Sequence, residues 1–279
     1  MYVGVGLQER AIRVTPARRL TIAGLAWVAA LITAIMTFAM AVLAVKGRDV
    51  SLFLVPLPLA YAGMGCVLLA RRPGHPMGPL LCLSGLAIAF AALPLAYARY
   101  TLVHSPGSLP FSTTVLWMNT WAQALAVGLA GLVLSLVFPD GRLLSPRWRP
   151  ALWAALAFIP LFVAGNAFAP ASMGSLFHNR PNPYTLPRLD VLFEAFQGLA
   201  VACGVAAAAA AVASVTLRWR RADRVGRQQL KWFLAVSPLA AASFLATLIA
   251  SGPWSLVIGL ISGTLTPVAI GIAVLRYRL

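Results

Sequence analysis

Six polar side chains interrupt otherwise apolar stretches, and these residues have the types and spacing that could support chemistry. A charged or strongly polar group inside a membrane is costly, so such residues are candidates for function. Asn119 and Gln123 have helical spacing, as do Glu194 and Gln197, so each pair shares one helix face. The six candidate ligand-binding residues are Arg99, Asn119, Gln123, Asn166, Glu194 and Gln197.

These six residues all lie toward the ends of their apolar runs that we assign to the outer side of the membrane. Their shared depth predicts a polar pocket in the outer half of the bilayer, with Arg99 facing Glu194. The alternative is a set of ordinary polar residues near the membrane surface. Their amides would then form hydrogen bonds between helices, each contributing roughly 0.6 kcal/mol.

Catalytic and metal-binding motifs are missing from the sequence. It contains no nucleophile elbow, P-loop or HExxH zinc motif. Only six carboxylates are present in the whole chain, which leaves little for acid–base chemistry. Cys66, Cys82 and Cys203 lie in apolar runs without metal-ligand spacing, as is typical of small buried thiols. We therefore expect no catalytic residue, no metal and no cofactor, and predict that the chain is not an enzyme.

A second candidate site is a dense basic segment between two apolar runs. Residues 218–232 read RWRRADRVGRQQLKW and hold six of the 22 Lys and Arg side chains. Such a cluster first fixes the orientation of the flanking spans, and it also attracts anionic lipid head groups. We predict that it contacts lipid or an acidic cytoplasmic partner through Arg218, Arg220, Arg221, Arg224, Arg227 and Lys231.

The elements that must position these residues are membrane-spanning helices. The chain is 61 % hydrophobic and only 10 % charged, whereas soluble domains carry about 25 % charged residues. A helix that crosses the hydrocarbon core needs about 20 apolar residues. We predict an all-α integral membrane protein with about eight transmembrane helices, over Leu20–Val45, Val50–Ala70, Pro79–Tyr100, Thr113–Phe138, Ala151–Ala169, Val191–Leu217, Trp232–Ser251 and Trp254–Leu275.

The distribution of basic residues predicts the orientation. Seventeen of the 22 Lys and Arg lie in the N-terminus, the C-terminus and alternate connections, and basic residues favour the cytoplasmic side. We therefore expect a multi-pass protein of the cell membrane with both termini in the cytoplasm. Residues 1–19 would form a basic N-terminus and residues 20–279 a single transmembrane domain. Although the net charge is +16, the short separate clusters do not favour nucleic acid as a partner.

Glycines in the last predicted span suggest close helix packing. Gly259 and Gly263 form a GxxxG pair, and Gly271 falls on the same stripe. Such a pair can hold a homodimer together, or it can pack against another helix of the same chain. In a chain with many spans the second interpretation is favoured.

Four short motifs lie at the basic ends of the predicted spans. They are Arg71–Gly78, Phe138–Leu143 with the following Pro146–Pro150, Arg224–Phe233, and Gly271–Leu279. Together and in this order, they resemble segments in the multi-span N-terminal membrane regions of actinobacterial sensor histidine kinases. The resemblance implies a membrane sensor that provides the input of a two-component system.

The same resemblance bears on the output of the protein. In those kinases a catalytic module follows the segment that resembles Gly271–Leu279, whereas this sequence stops at Leu279. It has no phosphoacceptor-His segment and no Asp-x-Gly-x-Gly nucleotide loop. We therefore expect a non-catalytic signalling input that acts on a cytoplasmic signalling partner. The alternative is a small-molecule transporter or permease, for which inverted repeats and charged residues at mid-membrane would be expected.

Overall fold

The computed structural model describes residues 16–170, 173, 177, 179–222, 227 and 253–276. These residues form helices and their connections, without a β-strand. Six helical stretches are long and apolar enough to cross a membrane, so the chain is a multi-pass membrane protein. They are Leu20–Lys46, Ser51–Arg71, Met77–His104, Ser112–Val137, Pro146–Ala167 and Pro187–Arg221.

Seven helices are numbered here in chain order. The fourth, α4, is an α-helix over Ser112–Ala126, a π-helix over Val127–Val133 and a final α-helical turn over Leu134–Val137. The others are α1 over Pro16–Lys46, α2 over Pro56–Arg71, α3 over Met77–Arg99, α5 over Arg149–Ala167, α6 over Asp190–Arg221 and α7 over Pro253–Arg276.

The prediction of an all-helical membrane bundle is confirmed, and the first six predicted spans match the structure to within a few residues at most ends. The seventh, Trp232–Ser251, lies outside the described residues. The eighth coincides with α7, a helix of 24 residues. Pro94, Pro160 and Pro267 lie inside the helices α3, α5 and α7.

Helix α3 occupies the centre of the bundle. Of the residues in its most apolar stretch, 61 % are buried, whereas the corresponding share in the first span is 28 %. Helices α1, α2 and α4 pack around it, α5 packs on α4 and on α6, and α7 packs on α2. Large apolar side chains such as Leu31 and Phe38 of α1 and Val205 of α6 are exposed on the outside. A bundle with an apolar exterior is suited to lipid rather than to water.

The packing of α7 on α2 depends on two glycines. A Cβ atom at Gly263 would lie 2.9 Å from Leu57, and one at Gly271 would collide with the Met64 thioether. Because both pairs advance in the same direction, α7 runs parallel to α2. Gly263 and Gly271 therefore serve packing within the chain, as the second interpretation expected, while the surroundings of Gly259 lie outside what the structure describes and the homodimer stays a prediction.

The two ends of the bundle differ in composition. We call one the basic end, where the connections 72–76 and 138–148 meet the end of α6. We call the other the Asp49 end, where residues 47–50, 105–111 and 168–186 connect the helices. Helices α2 and α4 both have their C-termini at the basic end, and α1, α3 and α5 have theirs at the Asp49 end.

Candidate functional site

A buried carboxylate is the centre of the Asp49 end. Asp49 follows α1, and its Oδ1 accepts hydrogen bonds from the backbone N–H of Ser51 at 2.7 Å and from the Ser51 hydroxyl at 3.0 Å. Its Oδ2 accepts from Nε of Arg99 at 2.5 Å and lies 3.4 Å from Nε2 of His104. The Asp49 side chain is only 3 % exposed, whereas that of Arg99 is 24 % exposed.

Burial alone would raise the pKa of Asp49, but its partners prevail. The two hydrogen bonds from Ser51 and the positive charge of Arg99 hold the pKa of Asp49 below its ordinary value of 3.8. The carboxylate therefore stays ionised at neutral pH. It also caps the short 3-10 helix Val50–Leu54 that leads into α2, so it links the first connection to the end of α3.

His104 reaches this carboxylate because α3 continues as a π-helix over Tyr100–His104. The histidine ring lies against the backbone of Gly47, where a Cβ atom would be only 3.0 Å from the ring. A glycine at position 47 thus permits the approach. We name the group of Asp49, Ser51, Arg99 and His104 the Asp49 cluster.

The predicted pair of Arg99 with Glu194 is wrong. Arg99 forms its ion pair with Asp49, while Glu194 is exposed on α6. Helix α6 packs on α5, not on the end of α3 where Arg99 lies. The amide of Gln197 instead donates a hydrogen bond to the carbonyl of Gly165 at 3.0 Å, which joins α6 to α5.

No hydrogen bond joins the three other predicted pocket residues to one another. Asn119 donates to the carbonyl of Ala91 in α3 at 3.2 Å, one turn before Pro94. Asn166 donates to Phe162 of its own helix at 2.9 Å, and Gln123 is exposed. The interpretation as ordinary polar residues, several of them hydrogen-bonded to backbone, describes this set better than a shared pocket.

A different cavity lies at the Asp49 end. Its volume is about 410 Å3, and residues such as Thr101, Ser112, Thr114 and Arg180 line it. None of the six predicted ligand-binding residues contributes to its wall. The cavity brings the end of α3 and the start of α4 together with the connection that follows α5.

That connection is held down by Asn182, whose role the sequence analysis missed. The buried Asn182 amide donates to the carbonyls of Ala167 at 2.9 Å and Ala169 at 3.0 Å, and its Oδ1 accepts from the N–H of Tyr184. The indole of Trp117 also donates to Ala167 at 2.7 Å. An Asn-Pro pair after a helix is the available sequence signal, because Asn side chains bond to nearby backbone in turns.

The basic end has its own ion pair. Nη1 of Arg218 donates to Oδ2 of Asp140 at 2.9 Å, and its Nη2 donates to the backbone carbonyl of Arg142 at 2.6 Å. The Arg218 side chain is 10 % exposed and that of Asp140 is 44 % exposed. The first arginine of the predicted contact segment therefore binds another loop of the same chain.

The remaining basic residues of that segment are only partly described. Arg220 and Arg221 are exposed at the end of α6. Nε of Arg227 donates to the carbonyl of Ala222 at 3.1 Å. Arg224 and Lys231 lie outside the described residues.

Of the four short motifs, Arg71–Gly78 and Phe138–Leu143 meet at the basic end, whereas most of Arg224–Phe233 lies outside the described residues. Gly141 has a φ of +71°, and a Cβ atom there would lie 2.6 Å from Pro76, so the loop after α4 touches the turn before α3. Beneath them one apolar cluster contains Met77, Phe138 and Val274. Trp219, just before the third motif, packs against the same cluster.

His75 lies in the first of these motifs. Its Nδ1 accepts a hydrogen bond from the N–H of Met77 at 3.3 Å. Burial, together with the nearby charge of Arg72, lowers the pKa of His75 from its ordinary value of 6.5, although Asp140 opposes the shift. The imidazole is therefore neutral at neutral pH.

The described residues do not suggest a metal centre, since nowhere among them do three His, Cys, Asp or Glu side chains come together. No protein-family model, no curated protein and no solved structure matches the chain. The described residues contain an ion pair at each end of the bundle, Asp49 with Arg99 and Asp140 with Arg218. Such ion pairs can hold helix ends in register and can respond to bound charge.

Proposed function

We propose that the chain is an integral protein of the cell membrane that serves as a signalling input, without catalytic activity of its own. It would detect a stimulus at the Asp49 end and transmit a change in helix packing to a cytoplasmic partner at the basic end. The observation that carries this proposal is that two of the kinase-like motifs, Arg71–Gly78 and Phe138–Leu143, meet beside the ion pair of Asp140 and Arg218. The connections 72–76 and 138–148 contact each other there, and the second is bound to the end of α6, so a shift of one helix pair would alter this surface.

The proposal includes the full topology of eight spans with both termini in the cytoplasm. Helix α6 ends at the basic end, and α7 runs parallel to α2 and therefore begins at the Asp49 end. The end of α6 and the start of α7 therefore lie at opposite ends of the bundle. This supports the seventh span predicted over Trp232–Ser251.

The arrangement of charge favours a signalling input over a transporter. In the described spans the charged side chains, including Arg99 and Glu194, lie within about two turns of a helix end. Transporters that couple ions to substrates place such groups near mid-membrane. The exposed arginines at the end of α6 remain available for an acidic partner or anionic lipid head groups.

The test is a comparison of transcripts in the native host. Three strains are needed: one lacking the chain, one complemented with the wild type, and one complemented with a variant in which Arg220, Arg221, Arg224 and Arg227 are Gln. We expect the variant to reach the membrane at the wild-type level and yet to reproduce the transcript profile of the deletion strain. Arg218 is retained because it binds Asp140.

Two outcomes would contradict the proposal. One is full complementation by the fourfold variant, because the basic surface would then have no role in signalling. The other is turnover of nucleotide, or hydrolysis of lipid, by the purified wild-type chain. Solute flux in proteoliposomes containing the wild type would instead support the transporter alternative.

A further inference from the structure

A cavity at the basic end has the size and the charge of an anion site. Its volume is about 430 Å3, and its wall is the turn 71–76 with Asp140 and Arg142. Ligand pockets in proteins commonly measure about 300–1,000 Å3. The cavity is open, and Arg71 and Arg142 are exposed at its edge.

The positive charge around this cavity exceeds the negative charge. Arg71, Arg72 and Arg142 line it, and the one carboxylate in the wall is Asp140. Asp140 accepts a hydrogen bond from Arg218, so its charge is already offset from the side of α6. The wall thus presents a net positive surface with guanidinium groups from two separate loops.

The position of the cavity fits the membrane surface. Arg71 is the last residue of a helix that is apolar enough to span a membrane, so its side chain lies at the level of the lipid phosphates. Guanidinium groups bind phosphate oxygens through paired N–H donors. The turn also holds Gly74 at a φ of +94°, a conformation that shapes the wall and that side chains rarely adopt.

We propose that this cavity binds a phosphate group at the surface of the membrane, held between Arg71 and Arg142. The ligand would join the turn before α3 to the loop after α4, the two segments that already touch at Gly141 and Pro76. Of the basic segment only Arg218 bears on this site, through its bond to Asp140, and the site does not depend on the signalling role proposed above.

The test measures binding to the purified full chain in a neutral detergent by titration calorimetry. The probes are dioctanoyl phosphatidic acid, dioctanoyl phosphatidylglycerol, glycerol 3-phosphate and inorganic phosphate, with dioctanoyl phosphatidylcholine as the zwitterionic control. We expect saturable binding of at least one phosphate probe. Replacement of Arg71 and Arg142 by Gln should raise its Kd by at least about tenfold, because two charge-assisted contacts are lost.

A matched variant separates a built site from general surface charge. Arg147 and Arg149 are exposed at the same end but do not line the cavity. Their double replacement by Gln removes the same charge and should change the Kd less than about twofold, since screened surface charges contribute little. The proposal would be overturned if both double variants raised the Kd equally. It would also be overturned if neither double variant changed the Kd.

The probes also identify the source of the phosphate. Binding of only the lipids assigns the site to a head group, whereas equal binding of glycerol 3-phosphate or inorganic phosphate assigns it to a soluble ligand. Failure of every phosphate probe to bind the wild type would refute the site. If the Gln variant does not fold, as judged by its thermal unfolding midpoint, replacement by Lys keeps the charge but removes the paired donors. An unchanged Kd in that variant would refute the site equally.

Discussion

Each end of the bundle has one carboxylate paired with an arginine from a distant part of the chain, but the two pairs differ in burial. Asp49 is 3 % exposed and has Arg99, Ser51 and His104 around it, whereas Asp140 is 44 % exposed. A buried ion has few alternative partners, so its loss leaves the other charge stranded. The half-exposed Asp140 can exchange its partner for water at little cost, and Arg218, although only 10 % exposed, keeps its hydrogen bond to the carbonyl of Arg142 when Asp140 is lost. The Asp49 end is therefore the fixed end, and the basic end is the adjustable one.

The largest expected difference between the ends comes from removing each carboxylate. Asp49→Asn keeps the shape but leaves Arg99 without its counter-charge, and we expect a loss of about 3 kcal/mol in the free energy of unfolding. Asp140→Asn should cost less than about 1 kcal/mol. Denaturant unfolding in detergent micelles measures both. Equal losses would remove the distinction between a fixed and an adjustable end.

The connection after α5 extends the comparison to the loops. Asn182→Ala removes the donor shared by the carbonyls of Ala167 and Ala169, and we expect a loss of about 2 kcal/mol. Limited proteolysis should then cut within residues 170–186 faster than in the wild type. Asn166→Ala is the control, because Asn166 bonds only within its own helix. If both variants were cut at the same rate, Asn182 would have no special role in holding the loop.

Two glycines in left-handed turns test how tightly the loops of the basic end fit. Gly141 has a φ of +71° and lies against Pro76, whereas Gly107 at the Asp49 end has a φ of +77° in open space. Replacement by Ala strains either backbone by about 1 kcal/mol. At position 141 the contact with Pro76 should add roughly 1 kcal/mol more. Thermal unfolding of the two variants measures this difference, and a larger loss at position 107 would contradict the described contact.

The two ends should also respond to acid in different pH windows. Both Asp49 and His75 have pKa values below their ordinary 3.8 and 6.5. As the pH is lowered, each group therefore binds its proton in the unfolded chain before it does so in the folded chain, and the free energy of unfolding decreases. The contribution of His75 is present above pH 6.5 and is lost as pH falls through its lowered pKa. The contribution of Asp49 is present above pH 3.8 and is lost below it.

This pH prediction is the smallest in magnitude, below about 1 kcal/mol for the half-buried His75. The unfolding midpoint is measured against pH for the wild type, His75→Asn and Asp49→Asn. In His75→Asn the midpoint should no longer fall between pH 6.5 and the lowered pKa of His75. In Asp49→Asn it should no longer fall below pH 3.8. A His75→Asn curve that still falls in the upper window would assign that loss to another group.

The sequence predicts the helices of this molecule far better than it predicts their contacts. The predicted run Ala151–Ala169 and the observed α5 over Arg149–Ala167 agree closely, because length and hydropathy alone decide which segments can cross a membrane. The position of Arg99 near the end of its helix was also correct, since it follows from position within a run. Neither property specifies which helix is the neighbour of another.

The predicted polar pocket was therefore wrong in the part that required knowing which helices are neighbours. Arg99 was assigned to Glu194 because both lie near the same surface of the membrane, yet Asp49 is the residue that the end of α3 reaches. Asp49 looked like a loop residue in the sequence, and its burial results from the turn between α1 and α2. The π-helix that carries His104 toward it has no signature in hydropathy. The ion pair of Arg218 with Asp140 likewise joins residues 78 positions apart.

In the proposed topology the two ends face opposite sides of the membrane, with the basic end in the cytoplasm. The most direct measurement uses Ser145→Cys at the basic end and Arg180→Cys at the Asp49 end, each labelled with an impermeant maleimide in intact cells and again after lysis. We expect the cysteine at 180 to react in intact cells and the cysteine at 145 to react only after lysis, because basic loops stay in the cytoplasm. Labelling of position 145 in intact cells, with position 180 protected until lysis, would contradict the account.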